Sequence, residues 1–211
     1  MVPQARRCYI GGMKILFLPA LLVLAAPAMA APATLDDVAR SLKATTSLSA
    51  RFAQIGADGR TLTGRMALAR PGKVRFEYDG AKFLIVGDGR NLSFVDYAVR
   101  QVSQWPVRST PLGILLSDAP DLAGLARIVA ASEDGVIVEA RDPKHPEFGS
   151  LNIRFERSAS APGGLALAGW TARDAQGGES MVRLEAVRYN ADLSKTDWSF
   201  RDPRRAQRRA G

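Results

Sequence analysis

The chain has 211 residues, 46% hydrophobic and 24% charged, with 19 Gly, 12 Pro, one His and one Cys. This is the make-up of one water-soluble globular domain, and it excludes a disordered, collagen-like or disulfide-stapled chain. The formal charge of +8 is concentrated at the ends, in Arg6, Arg7 and Lys14 and in Arg201, Arg204, Arg205, Arg208 and Arg209; between them 21 bases face 20 acids, so no broad basic face for a nucleic acid is implied.

Lys14 is followed by ILFLPALLVLAAPAMA, an apolar run of about a dozen residues after a positive start. It ends in Ala28-Met29-Ala30, the small-x-small pattern of a signal-peptidase site. Residues 1–30 are therefore expected to form a Sec-type secretory signal cleaved after Ala30. Pro19 and Pro27 interrupt a run that is already short for a membrane span. Met13 is an alternative start to Met1, and the surroundings of Arg6-Arg7 fit a twin-arginine signal poorly. Cleavage would remove Cys8, leaving an exported chain without disulfides, thiol chemistry or a cysteine of its own for a lipid anchor.

Thr34 followed by Leu35, Asp36 and Asp37 reads as an N-cap with a capping-box acid, and Val38 and Leu42 give a short amphipathic helix to about residue 45. Beyond it, Asp58-Gly59, Asp88-Gly89, Asp134-Gly135, Gly163-Gly164 and Gly177-Gly178 mark tight hairpin turns. Between the turns the apolar residues alternate: Leu48, Ala50 and Phe52; Met66 and Leu68; Val74, Phe76 and Tyr78; Leu92 and Phe94; Leu151, Ile153 and Phe155; Val182, Leu184 and Ala186. The fold class is mainly β with a few helices, on roughly ten or eleven antiparallel strands with one oily face. That face must be covered, by closure into a barrel, by a second sheet or by helices. The other helical candidate is STPLGILLSDAPDLAGLA, residues 109–126, with Leu112, Leu115 and Leu116 on one face.

Residues 70–107, RPGKVRFEYDGAKFLIVGDGRNLSFVDYAVRQVSQWPV, resemble in their order of features the periplasmic outer-membrane lipoprotein carriers, the LolA family. SLSARFAQ at 47–54 is similar to that family's first strand after its N-terminal helix, and STPLGILLSD at 109–118 to its lid. The resemblance implies an unclosed antiparallel barrel under a short helical lid, spanning residues 31–200; the composition of residues 201–211 reads as a basic, unfolded tail. It implies a periplasmic chaperone that shelters acyl chains, taking lipoproteins from an inner-membrane ABC-type release complex to an outer-membrane receptor, acting as a monomer and without a cofactor. Val74, Ala81 and Ser93 stand where the family commonly has an aromatic residue, a Pro and a Trp, which leaves room for a different apolar cargo.

Period-two counting puts Arg70 on the oily face, where a buried guanidinium needs acceptors. On spacing alone it either meets carbonyls at lid helix ends or snorkels at a strand end; the resemblance favours a lid latch. Phe52, Val74, Phe76, Leu84, Val86, Leu92, Phe94, Leu112, Leu115 and Leu116 are the candidate cavity and lid residues, although parity does not separate a cavity from a core. Arg204, Arg205, Arg208 and Arg209 suit either an anionic membrane or partner, or a solvated end. His145 lacks the companions of a metal site. No H-E-x-x-H, G-x-S-x-G or P-loop pattern occurs, so no catalytic residue is assigned; the rival to a carrier is a module that senses lipid or lipoprotein.

Overall fold

The computed structural model describes residues 31–110, 112–118, 122 and 124–206, with the side chains of residues 205 and 206 excepted. The expected secretory signal, with its cleavage site, and Arg208 and Arg209 lie outside the described residues. The first helix, α1 (Leu35–Ala44), starts as its sequence dictates: the Thr34 hydroxyl accepts from the Asp37 amide while the Asp37 carboxylate accepts from the Thr34 amide. These bonds hold the Asp37 carboxyl below the usual carboxylate range. Val38, Ser41 and Leu42 form the buried stripe of α1.

The strands are β1 (Ser47–Ile55), β2 (Thr61–Ala69), β3 (Lys73–Tyr78), β4 (Phe83–Asp88), β5 (Asn91–Asp96) and β6 (Gln101–Pro106). After a covering segment come β7 (Ala126–Ala131), β8 (Gly135–Ala140), β9 (Ser150–Arg157), β10 (Leu165–Arg173) and β11 (Glu179–Tyr189). All 11 form one antiparallel sheet in the order β6-β5-β4-β3-β2-β1-β11-β10-β9-β8-β7. β6 and β7 are free edges, so the barrel is unclosed. Strands consecutive in sequence pair with each other except β6 and β7, and the two halves of the chain meet where β1 pairs with β11.

The alternation read from sequence becomes the inner face, where Leu48, Phe52, Met66, Leu68, Val74, Phe76, Ile153 and Phe155 share one core with Val38 and Leu42 of α1. On β11 the alternation slips. Ala186 has φ +50 at a bulge where the register against β1 shifts, so Ala186 is exposed and Val187 and Tyr189 face the core instead.

The expected helix over residues 109–126 is reduced to a 3-10 turn, Val107–Ser109, and one α turn, α2 (Gly113–Leu116). Ser117 is already extended, and the sequence continues with Pro120 and Gly124, residues that do not propagate a helix. One turn has too few hydrogen bonds to hold alone. It is fixed by burial of Ile114, Leu115 and Leu116 in the main core.

Leu84 and Val86, expected in the cavity, are on the opposite face. Phe76 pairs with Ile85, and paired residues share a face, so Ile85 points inward while Leu84 and Val86 point out with Glu77 and Arg75. β4 reads Phe-Leu-Ile-Val, apolar on both sides, which leaves its parity undefined in sequence. Leu84, Val86 and Val95 form a second small core against Tyr97, Val102 and Phe200. The chain after β11 crosses this outer face, and Arg75 donates to the carbonyls of Asp197 and Ser199 at 2.8 and 2.9 Å. This strap continues past the boundary expected at residue 200, into a 3-10 turn at Pro203–Ala206 beside β6. Phe200→Ala is therefore expected to lower stability by about 2 kcal/mol, or about 4–8 °C in Tm, measured by thermal unfolding.

Candidate functional site

Arg70 stands in the short turn between β2 and β3, beneath both helical pieces. Its Nε donates to the Leu115 carbonyl of α2 at 3.0 Å, and its Nη1 to the Thr45 carbonyl at the C-cap of α1 at 2.8 Å. The final carbonyls of a helix have no intrahelical donor and carry the negative end of its dipole, so a cation is the matching partner. One residue further, the Gly72 amide donates to the Leu116 carbonyl at 2.9 Å. The β2–β3 turn thus holds α2 at two points and the end of α1 at one. Burial pushes the Arg70 guanidinium down to about 10 while Asp118 acts upward, so the side chain remains a cation at neutral pH.

Below this tie apolar side chains of the sheet pack against the helical pieces. A cavity of about 20 Å³ remains among Arg70, Leu42, Thr45, Leu68, Leu115 and Tyr189, space for about one water and no acyl chain. Of the residues expected there, Phe52, Val74, Phe76, Leu92, Leu115 and Leu116 are buried in the main core, and Phe94 and Leu112 are half-buried against it. Leu84 and Val86 are not brought to this site. Nor is Arg204, exposed and bonded to Asp202 beside β6; the Arg205 side chain lies outside the description.

Inner rings missed by the period-two reading make the face more aromatic than expected. Trp170, Phe76, Phe52, Tyr78, Phe83, Phe94 and Trp105 follow one another with centroid separations of 5.1 to 6.4 Å. The row runs from Trp170, 7% exposed, to Trp105 on the β6 edge, 37% exposed. Gly64 makes part of it possible: a Cβ there would lie 2.7 Å from the Phe52 ring and 2.1 Å from the Glu77 carbonyl. Tyr78 keeps its phenol bonded to Gln54 at 2.7 Å, and burial raises it to about 12. The signal for Trp170 lies in its spacing from Leu167 and Ala172, obscured by a register slip between Leu167 and Gly169.

The carboxylates of Asp37, Asp58, Asp79, Glu147, Asp192 and Asp197 are all held below the usual range by hydrogen bonds from their neighbours. Among the described residues no group of His, Cys, Asp and Glu is arranged to hold a metal, and His145 pairs with Glu147 in an exposed loop.

The structure is an unclosed barrel with an aromatic-lined inner face and helical segments tied over that face. The family model for the outer membrane lipoprotein carrier protein LolA matches residues 43–201, and the chain belongs to that family. It is 28% identical over 185 residues to an outer-membrane lipoprotein carrier protein of Pseudomonas syringae pv. syringae, covering 81% of this chain and 86% of that one. To the protein of the same description from Chromobacterium violaceum it is 30% identical, over 91% of this chain and 96% of the other. Among solved structures, a LolA superfamily protein from Nitrosomonas europaea aligns with a TM-score of 0.41 over 78% of this chain and 94% of that one, at 10% identity.

The geometry predicts that Arg70→Leu loosens the cover without opening the sheet. Amide hydrogen exchange of Leu115, Leu116 and Ser117 should rise by roughly tenfold or more, as expected for losing hydrogen bonds from a charged donor, while amides of β1 and β2 exchange as before.

Proposed function

We propose that this protein is a periplasmic carrier that shelters the acyl chains of lipoproteins between its inner sheet face and the α1–α2 cover, collecting them at the inner membrane and surrendering them at the outer one. The observation that carries the reading is the Arg70 tie: one half-buried cation bonded to carbonyls of both helical pieces over an apolar interior. A further support is membership of a family whose curated members are named lipoprotein carriers.

The energetics suit reversible loading. An acyl chain buries about 0.8 kcal/mol per methylene, so a dozen methylenes are worth about 10 kcal/mol. Against this stand two charge-assisted hydrogen bonds from Arg70, each about 1.5–3 kcal/mol, and the burial of Ile114, Leu115 and Leu116, each about 1.5–3 kcal/mol. The terms are of one size, so the interior exchanges its own cover for cargo at small net cost. The cavity beneath the tie is only about 20 Å³, so loading there takes α2 off the sheet, and the bonds of Arg70 break as it does. Reclosure over the emptied interior restores them and favours release. The partners of this cycle are the acylated lipoproteins themselves, an inner-membrane ABC-type release complex and an outer-membrane receptor.

The test is transfer of acylated lipoprotein from loaded carrier to acceptor membranes bearing the receptor. Arg70→Leu should load at least as readily as wild type and hand its cargo on roughly tenfold more slowly, since the closed form has lost its tie. Onward transfer at the wild-type rate, with Tm unchanged, would falsify the latch.

A further inference from the structure

A second concavity lies outside the barrel. On the outer face of β8–β11 a groove of about 550 Å³ runs between Val129 and Ile137 on one side and Met181 and Arg183 on the other, with Asn152 and Arg154 between them. Its origin is a change of side-chain size: the stretch of β10 at its floor presents Ala168, Gly169 and Thr171, whereas the flanking strands β9 and β11 carry long side chains. Gly169 stands at the β10 register slip with φ +152, and a Cβ there would meet the Val182 carbonyl at 2.1 Å, so this floor stays bare.

Three features come together in the groove. Val129 and Met181 are 41% and 47% exposed, large apolar side chains open to water. Asn152 Oδ1 is buried and accepts no hydrogen bond, a cost that a donor would remove. Arg154 pairs with Glu156 at 3.1 Å, but Arg183 has no carboxylate partner among the described residues.

We propose that this groove docks an extended polypeptide segment of a partner protein, one carrying apolar side chains and a carboxylate. The apolar side chains lie on Val129, Ile137 and Met181, the carboxylate meets Arg183, and a backbone or amide N–H meets Asn152 as its covering side chains part. The orphaned acceptor favours a peptide over a fatty acid, which offers Arg183 a carboxylate but Asn152 no donor. It disfavours a second copy too, because two copies joined by this same face would bring one Arg183 toward the other's. The surface is separate from the barrel interior, so its failure would leave the carrier reading as it stands.

Two methionines give the test. Met66 lies in the inner core and Met181 on the groove, so isotope-labelled methionine methyl groups report the two places separately. The probes are acetyl-Leu-Asp-Leu-Asp-Leu-amide, its counterpart with Lys in place of Asp, and decanoate. The acidic peptide should move the Met181 signal and leave Met66 in place. Arg183→Glu, an exposed change with Tm measured alongside, should weaken that binding roughly tenfold. The proposal is overturned if the Lys peptide acts equally, if decanoate alone moves Met181, if the Met181 signal changes on dilution without any probe, or if millimolar acidic peptide moves nothing.

Discussion

A guanidinium taken out of water must find acceptors, and the last carbonyls of a helix are acceptors without donors. Arg70 joins these two needs. Its bonds to Thr45 and Leu115 fix the end of α1 and the single turn of α2 over the same stretch of inner sheet. Neither piece holds its place by helical hydrogen bonding alone, α2 least of all with four residues. The arrangement of the cover, the packing beneath it and the proposed exchange of cover for cargo all follow from where this one charge is placed.

Under the proposed function the interior serves two purposes that ordinary cores keep apart. A core is normally packed to exclude every other molecule, and beneath the Arg70 tie, among the described residues, a cavity of about 20 Å³ remains. Yet part of its packing comes from a segment attached by few hydrogen bonds, and its aromatic row ends half-exposed at a free sheet edge. Aromatic and aliphatic side chains that pack on α2 offer an acyl chain much the same surroundings. The outer face is divided differently: β3–β6 are covered by the strap bearing Phe200, while β8–β11 keep an open groove.

Much of this was legible in the residues. Thr34 and Asp37 announced α1, and the alternation of Val74, Phe76 and Tyr78 against Lys73, Arg75 and Glu77 announced an inner and an outer face. The position of Arg70 at the end of such a run put it on the inner face but left open whether it met helix carbonyls or snorkelled at a strand end, because its acceptors belong to residues 25 and 45 positions away and no local pattern names them. Errors arose where the period-two rule lost its footing. Leu84 and Val86 belong to a strand apolar on both faces, covered by a strap that only tertiary structure reveals. Ala186 fell out of phase at a bulge, and α2 stopped after one turn where the leucines alone suggested a longer helix.

The most direct measurement is native and denaturing mass spectrometry of the protein, residues 31–211, purified from a periplasm without detergent and exposed to membranes bearing the release complex. The account predicts an acylated lipoprotein bound one to one, released as the intact acyl-bearing chain on denaturation. A protein that stays empty under those conditions would contradict it.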